Sequence, residues 1–372
     1  MIEKLRELPL KQKIGQLFFI GIPGPQIDSQ TRELLGEISP GGVCLFARNI
    51  RETQQTRDLL DEVTASLPVT PFLSTDQEGG LVDRLRRIMT PMPAANKIKT
   101  VEHAVRMAEI IAKTLRILGF NMDFAPVVDV VDDARAKHSN GLFSREYGRS
   151  KEDVVSLAGT FLSTLHRNDV IGCLKHFPGL GAASVDSHEE LPEVDISETS
   201  LRAIDLYPYR ELFATGEAKA VMAAHAAFPN VALQELDQGG KLLPSSLSNN
   251  FINHLLRRDL GFDGLVITDD LEMGAIKKNY GVGEACKMAI NAGVDMLAIC
   301  ADPENILEGY NAVLGAVGQG EISEERIDVS LVRIATLKSQ LSDPIEFESS
   351  RMQFLSDEVS SLNEDLNRAE GN

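Results

Sequence analysis

Leu265-Val266-Ile267-Thr268-Asp269-Asp270 is an apolar, β-branched run that stops abruptly at two carboxylates. Such a run reads as a parallel strand buried on both faces, delivering an acid to a solvent-facing rim. The same event occurs at Pro71-Phe72-Leu73-Ser74-Thr75-Asp76, which continues into Gln77-Glu78-Gly79-Gly80. Between the two lies Leu174-Lys175-His176-Phe177-Pro178-Gly179-Leu180-Gly181, followed by Asp186-Ser187-His188. Acids, imidazoles and cations placed just after strands form a candidate catalytic constellation on one rim.

Outward from this stretch, short apolar runs alternate with longer amphipathic ones. Strand-like runs fall at 14–20, 42–46, 71–75, 122–127, 171–175, 220–224, 265–268 and 296–299. Helix-like segments between them include 52–66, 101–118, 151–165, 248–258, 283–292 and 303–317. Ser150 before Glu152 and Asp153 is an N-cap with acids in the first turn. Asp302-Pro303 puts a capping acid ahead of a proline at the first helical position. Gly119 and Gly293 stand where a left-handed C-terminal cap belongs.

Eight strand–helix units predict an α/β fold, a closed (β/α)8 TIM barrel, whose active site lies at the C-terminal ends of the strands. An open doubly wound sheet is the competitor, but Gly21-Ile22-Pro23-Gly24 is no phosphate-binding glycine loop, because Pro23 removes a donor amide. The long loops 130–149 and 177–195 invite a functional reading. The barrel is expected over residues 1–340, with a C-terminal helical extension over 341–372. In that extension Met352, Leu355, Val359, Leu362 and Leu366 form a heptad stripe. It either packs on the barrel wall or pairs with a second copy, a possible homodimer.

The chain has 372 residues and a formal charge of −18, from 55 acids against 37 lysines and arginines. That excess argues against nucleic acid or an anionic membrane as a partner. The N-terminus shows no signal peptide and no apolar run is long enough to span a bilayer, so the cytoplasm is the expected location. Cys44, Cys173, Cys286 and Cys300 are widely scattered, which reads as buried reduced thiols with no metal or redox spacing.

Among the residues suited to chemistry, Asp269 has the rigid seat a nucleophile needs. Asp270 should face away from the cavity, since neighbours on a strand point to opposite sides, and it could cap the next short helix. His188 can exchange a proton near neutrality, and Asp186 can orient it. Lys175 and His176 can hydrogen-bond sugar hydroxyls or an anionic group, with Arg84 and Arg145 as further loop-borne cations. His225 reads as packing behind the site.

These motifs together resemble glycoside hydrolase family 3, and within it the single-domain β-N-acetylglucosaminidases of the NagZ type. The resemblance covers roughly residues 10–317 and is carried by Thr75-Asp76-Gln77-Glu78-Gly79-Gly80, Asp123-Phe124-Ala125-Pro126-Val127-Val128-Asp129-Val130, Lys175-His176-Phe177-Pro178-Gly179, Asp186-Ser187-His188 and the segment 261–271. It implies Asp269 as nucleophile, His188 as general acid/base and Asp186 as its partner. It further implies that Asp76, Arg84, Arg145, Lys175 and His176 bind the sugar, and a role in peptidoglycan recycling; no metal or other cofactor is expected. The pattern departs from the family at Leu81, Asp83, Leu180 and in Arg145-Glu146-Tyr147-Gly148, which bears on the part of the substrate beyond the first sugar.

The activity so implied is retaining, exo-acting release of terminal β-linked N-acetylglucosamine from muropeptides or chito-oligosaccharides. Phosphorolysis competes with it, because a neutral imidazole in place of a second carboxylate repels phosphate less. Another family 3 β-glycosidase activity, substrate-assisted cleavage through the acetamido oxygen, a metal-dependent barrel hydrolase and a sugar-binding barrel without catalysis are the other readings. The first strand lacks the His-x-His a metal site would need.

Overall fold

A computed structural model of the chain describes residues 1–137, 142, 144–183 and 190–370. Eight parallel strands close into a barrel: β1 (Phe18–Gly21), β2 (Gly42–Cys44), β3 (Phe72–Thr75), β4 (Met122–Asp123), β5 (Ile171–Phe177), β6 (Ala220–Ala223), β7 (Leu265–Asp270) and β8 (Met296–Ile299). They neighbour one another in chain order, and β8 closes on β1 in parallel register, Phe18 opposite Leu297. The expected TIM barrel is present.

The strands read as continuous apolar runs because helices cover their outer faces and side chains fill the interior. Phe19, for example, stacks on Phe72 and meets Phe124 edge-on, so β1, β3 and the segment just after β4 share one aromatic cluster. Local signals fix the helix ends as the sequence implies. Ser150 and Asp153 form a capping box on Lys151–Arg167, and Asp302 caps Pro303–Gly318. Gly119 and Gly293 end their helices in the left-handed conformation.

Three expectations about elements need correcting. Residues 14–20 are not one strand: Leu10–Gly15 is a helix, and β1 begins at Phe18. Leu10, Ile14 and Leu17 recur at helical spacing, which outweighs the apolar content of the run. The run 122–127 pairs as a strand only over Met122–Asp123 and then in a single bridge, Val127 to Lys175, with Pro126, which has no N–H to donate, between the two. The segment near 248–258 is a π-helix, Asn250–Asp259.

β7 is anchored from below. Asp295, fully buried, accepts hydrogen bonds from Val266 N (3.0 Å), Arg257 (2.6 Å) and Arg333 (3.1 Å). The strand that carries Asp269 is thereby tied to two outer helices at its root. At the far end of the chain, Ser349–Glu370 is a helix whose stripe residues Met352, Leu355, Val359, Leu362 and Leu366 are all buried against the Val101–Leu118 helix and its surroundings. Arg106 pairs with Asp365 (2.6 Å) across the same seam. Of the two expectations for the stripe, the structure shows the packing on the barrel wall.

No helix among the described residues is long and apolar enough to cross a membrane. All four cysteines are free and buried.

Candidate active site

At the C-terminal end of the barrel a pocket opens whose walls include Asp76, Glu78, Arg84, Arg145, Lys175, His176 and Asp269. Residues far apart in sequence meet there because each sits at the end of a strand or on the loop that follows it. Six of the expected site residues are thus gathered in one cavity. Asp186 and His188 lie outside the described residues.

Three cations and two carboxylates form a ladder along one wall. Lys175, 2% exposed on β5, reaches Asp76 (2.9 Å) and Glu78 (2.6 Å). Arg145 grips Glu78 with two N–H groups at 2.7 and 2.9 Å, a bidentate pair. Arg84 lies 3.3 Å from the second oxygen of Asp76 and packs over the Phe46 ring. Burial alone would raise the Glu78 carboxyl, but Arg145 and Lys175 outweigh it and hold the group well below the carboxylate range. Asp76 is lowered likewise, against its burial, by Lys175 and Arg84. Burial would lower the Lys175 ammonium, yet Asp76 and Glu78 push it above its ordinary value. All three groups are therefore ionised at neutral pH.

The hairpin Gln77–Gly79 and Val82–Asp83 presents this ladder. Gly79 and Gly80 have positive φ, and a side chain at Gly79 would strike the Pro93 carbonyl, 2.2 Å from its Cβ. Gln77 donates to Asp83 (2.8 Å) and accepts from Arg84 N (3.1 Å), which locks the turn. Asp83 is thus a hairpin residue, 3% exposed, whose second oxygen takes Met92 N. Leu81, at the tip, is 65% exposed at the rim.

The opposite wall is β7. Burial would raise Asp269; the imidazoles of His176 and His225, the Asp270 N–H and Lys175 outweigh it and leave the carboxyl below its usual value. Asp270 also lines the pocket, contrary to the expected alternation. The strand turns just there: Asp270 N donates to Asp269 Oδ1 (2.8 Å), and Asp270 Oδ1 takes Glu272 N (3.0 Å). Asp270 closes that turn, while Met273 precedes the short helix Gly274–Lys277. Burial raises the Asp270 carboxyl to about 7.

His225 is fully buried behind Asp270, between Ser246 Oγ (2.7 Å) and the Asp270 carbonyl (3.1 Å), and is not among the residues that line the pocket. Two residues of the cluster went unread as site groups. Glu78 stands two positions after Asp76, so the two-residue period would place it on the same side. Asp129, buried behind the pocket, accepts from His176 Nδ1 at 2.7 Å. Among the described residues no group of three or more ligating side chains could hold a metal ion.

Comparison with known proteins fits this geometry. Residues 9–337 match the model of the glycosyl hydrolase family 3 N terminal domain. A β-hexosaminidase of Stenotrophomonas maltophilia strain R551-3 is 32% identical over 308 residues, 80% of this chain and 87% of that protein. One from Pseudomonas aeruginosa strain LESB58 is 33% identical over 76% of this chain and 82% of its own length. Among solved structures, a glycoside hydrolase family 3 β-N-acetylglucosaminidase from Paenibacillus sp. str. FPU-7 superposes with a TM-score of 0.85 at 36% identity, covering 95% of this chain and 69% of that one. With the barrel, the ordered strand-end motifs and a family match spanning most of its length, this chain belongs to glycosyl hydrolase family 3.

Proposed function

We propose that this protein is a retaining exo-β-N-acetylglucosaminidase. The β-hexosaminidases and β-N-acetylglucosaminidases it resembles support the sugar. The observation that carries the reading is the pocket itself, where the Asp269 carboxylate on a rigid strand faces the charged ladder of Asp76, Glu78, Lys175 and Arg145. A carboxylate so placed attacks the anomeric carbon, while the ladder holds the ring hydroxyls in a fixed orientation and His176 lines the pocket beside it.

In the first step Asp269 forms a covalent glycosyl ester as the general acid protonates the leaving oxygen; in the second, water activated by the same group releases the sugar with retention. Family resemblance assigns the acid/base role to His188, with Asp186 as its partner. His176 is a poor candidate for that role, since its Nε2 faces Arg145 Nη2 at 3.4 Å and its Nδ1 is taken by Asp129.

Hydrolysis is favoured over phosphorolysis because Lys175, Arg84 and Arg145 each already face a carboxylate. Muropeptides or chito-oligosaccharides supply the leaving group in this reading. Four unbridged thiols suit a reducing compartment such as the cytoplasm.

The test is mass spectrometry of the enzyme incubated with a slow fluorinated N-acetylglucosaminyl substrate. The expected result is an adduct on the peptide holding Asp269, absent from Asp269→Ala. An intact enzyme together with an oxazoline product would overturn the mechanism in favour of attack by the substrate's own acetamido oxygen.

A further inference from the structure

The structure assigns Asp129 a positioning role: its carboxylate sets the tautomer and orientation of His176. The inference rests on the reading above, in which His176 lines the pocket that takes the sugar and helps to fix Arg145 there. Asp129 follows β4 and its side chain is fully buried behind the pocket wall, so it touches no ligand itself. Both oxygens are engaged. One accepts from His176 Nδ1 at 2.7 Å. The other accepts from Leu180 N at 2.6 Å and, more loosely, from His176 N at 3.4 Å. The same group thus holds the imidazole and the turn that leaves β5.

The far side of the ring decides the proton. His176 Nε2 lies 3.4 Å from Arg145 Nη2. A guanidinium has only donors, so Nε2 is the acceptor, and the ring's one proton sits on Nδ1 and is given to Asp129. Arg145 is itself fixed by its two bonds to Glu78. The order of donors and acceptors from Glu78 through Arg145 and His176 to Asp129 is therefore determined throughout. An imidazole held this way keeps one edge towards the pocket without reorganising when substrate arrives.

Asp129→Asn is the informative substitution. Asparagine replaces one of two occupied acceptor oxygens with an NH2 donor. Either that donor meets Leu180 N–H, or the ring takes its other tautomer and turns an Nε2–H onto the Arg145 guanidinium. For hydrolysis of an aryl β-N-acetylglucosaminide, loss of a charge-assisted bond of this kind is expected to lower kcat/KM about 10- to 100-fold. The discriminating measurement is a double-mutant cycle with His176→Gln, which has no tautomers.

If Asp129 acts through His176, adding D129N to H176Q costs no more than about 2-fold further. Equal fold-losses from D129N in both backgrounds would overturn the proposal, because Asp129 would then act on the fold alone. An H176Q enzyme as active as wild type would remove its premise. Nitrogen-15 spectra of the wild-type imidazoles decide the matter without folded variants of Asp129: the signal that vanishes in H176Q should show the proton on Nδ1, and a proton on Nε2 would overturn the assignment. The outcome is independent of adduct formation on Asp269, so a failure of the glycosyl-ester mechanism is separately visible.

Discussion

Lys338 offers a stability test whose size and sign both follow from its surroundings. It ends the Glu324–Lys338 helix and points into the barrel floor, 2% exposed. Its Nζ donates to Gln16 Oε1 at 2.8 Å and lies 5.4 Å from the centre of the Phe72 ring. Burial, with the nearby charge of Lys4, brings the ammonium down from 10.5 to about 7. At about 1.36 kcal/mol per pH unit, that difference amounts to about 5 kcal/mol.

The sign is fixed by proton counting. Below pH 7 both folded and unfolded chains carry the proton, and the full cost of burying the charge stands. Between about 7 and 10.5 the unfolded chain binds a proton that the folded chain has lost, so stability rises with pH. Lys338→Met keeps the length of the side chain and removes the charge. It forfeits the Gln16 bond and the contact with the Phe72 ring, together worth about 1–2 kcal/mol. Net stabilisation of about 3 kcal/mol is expected near pH 6.5, fading to nothing or to slight destabilisation near pH 10. Urea unfolding of both proteins at the two pH values, followed by circular dichroism, measures it. A difference between the proteins that is equal at both pH values would refute the reasoning, as would destabilisation at the lower one.

Other consequences follow from the site and the C-terminal helix. Asp270, whose carboxyl is raised to about 7, is protonated below that pH and adds a second charge beside Asp269 above it. The profile of kcat/KM should fall on the alkaline side with a midpoint near 7, and Asp270→Asn should remove that fall while Asp269→Asn abolishes turnover. Glu78→Gln deprives Lys175 and Arg145 of their shared counter-charge; kcat/KM should drop about 100-fold with a lowered melting temperature, since breaking a buried pair costs about 3–5 kcal/mol. Leu362→Ala, at a fully buried position of the final helix, should cost about 2–4 kcal/mol in denaturant unfolding and leave KM unchanged.

What could be read in the chain depends on how far each signal reaches. β7 and β3 were legible because an uninterrupted apolar run ending in acids can hardly be an exposed helix. Caps such as Ser150 and Asp302 were legible because their partners lie within one turn. The start of β1 was misplaced because Leu10, Ile14 and Leu17 satisfy both an apolar run and a helical stripe. Glu78 and Asp129 were missed because their partners are distant: Arg145 lies 67 residues from Glu78, and His176 lies 47 residues from Asp129. Only barrel closure brings such pairs together. Lys338 was invisible for a related reason. A lysine in a last helical turn ordinarily complements the helix dipole in water, and nothing local says that this turn is buried in the barrel floor.

The charges at the mouth explain how a chain with a net charge of −18 can build a site rich in cations. On one wall Lys175 and the two arginines stand against Asp76 and Glu78, so the wall offers many fixed donors and acceptors with little net charge. Such a surface suits a neutral ring of hydroxyls, each needing a partner in a set direction, better than a free anion, which would need an uncommitted cation. On the other wall two adjacent acids are driven apart. Asp269 lies below its usual value under the pull of two imidazoles, its own turn and Lys175, whereas Asp270 is raised to about 7. Near neutrality one carboxyl is therefore fully ionised while its neighbour still holds a proton about half the time, which eases the repulsion that two full charges side by side would create. The environment of β7's last two residues thus separates two identical side chains into one ionised carboxylate and one that titrates near neutrality, the state that the proposed attack by Asp269 would require.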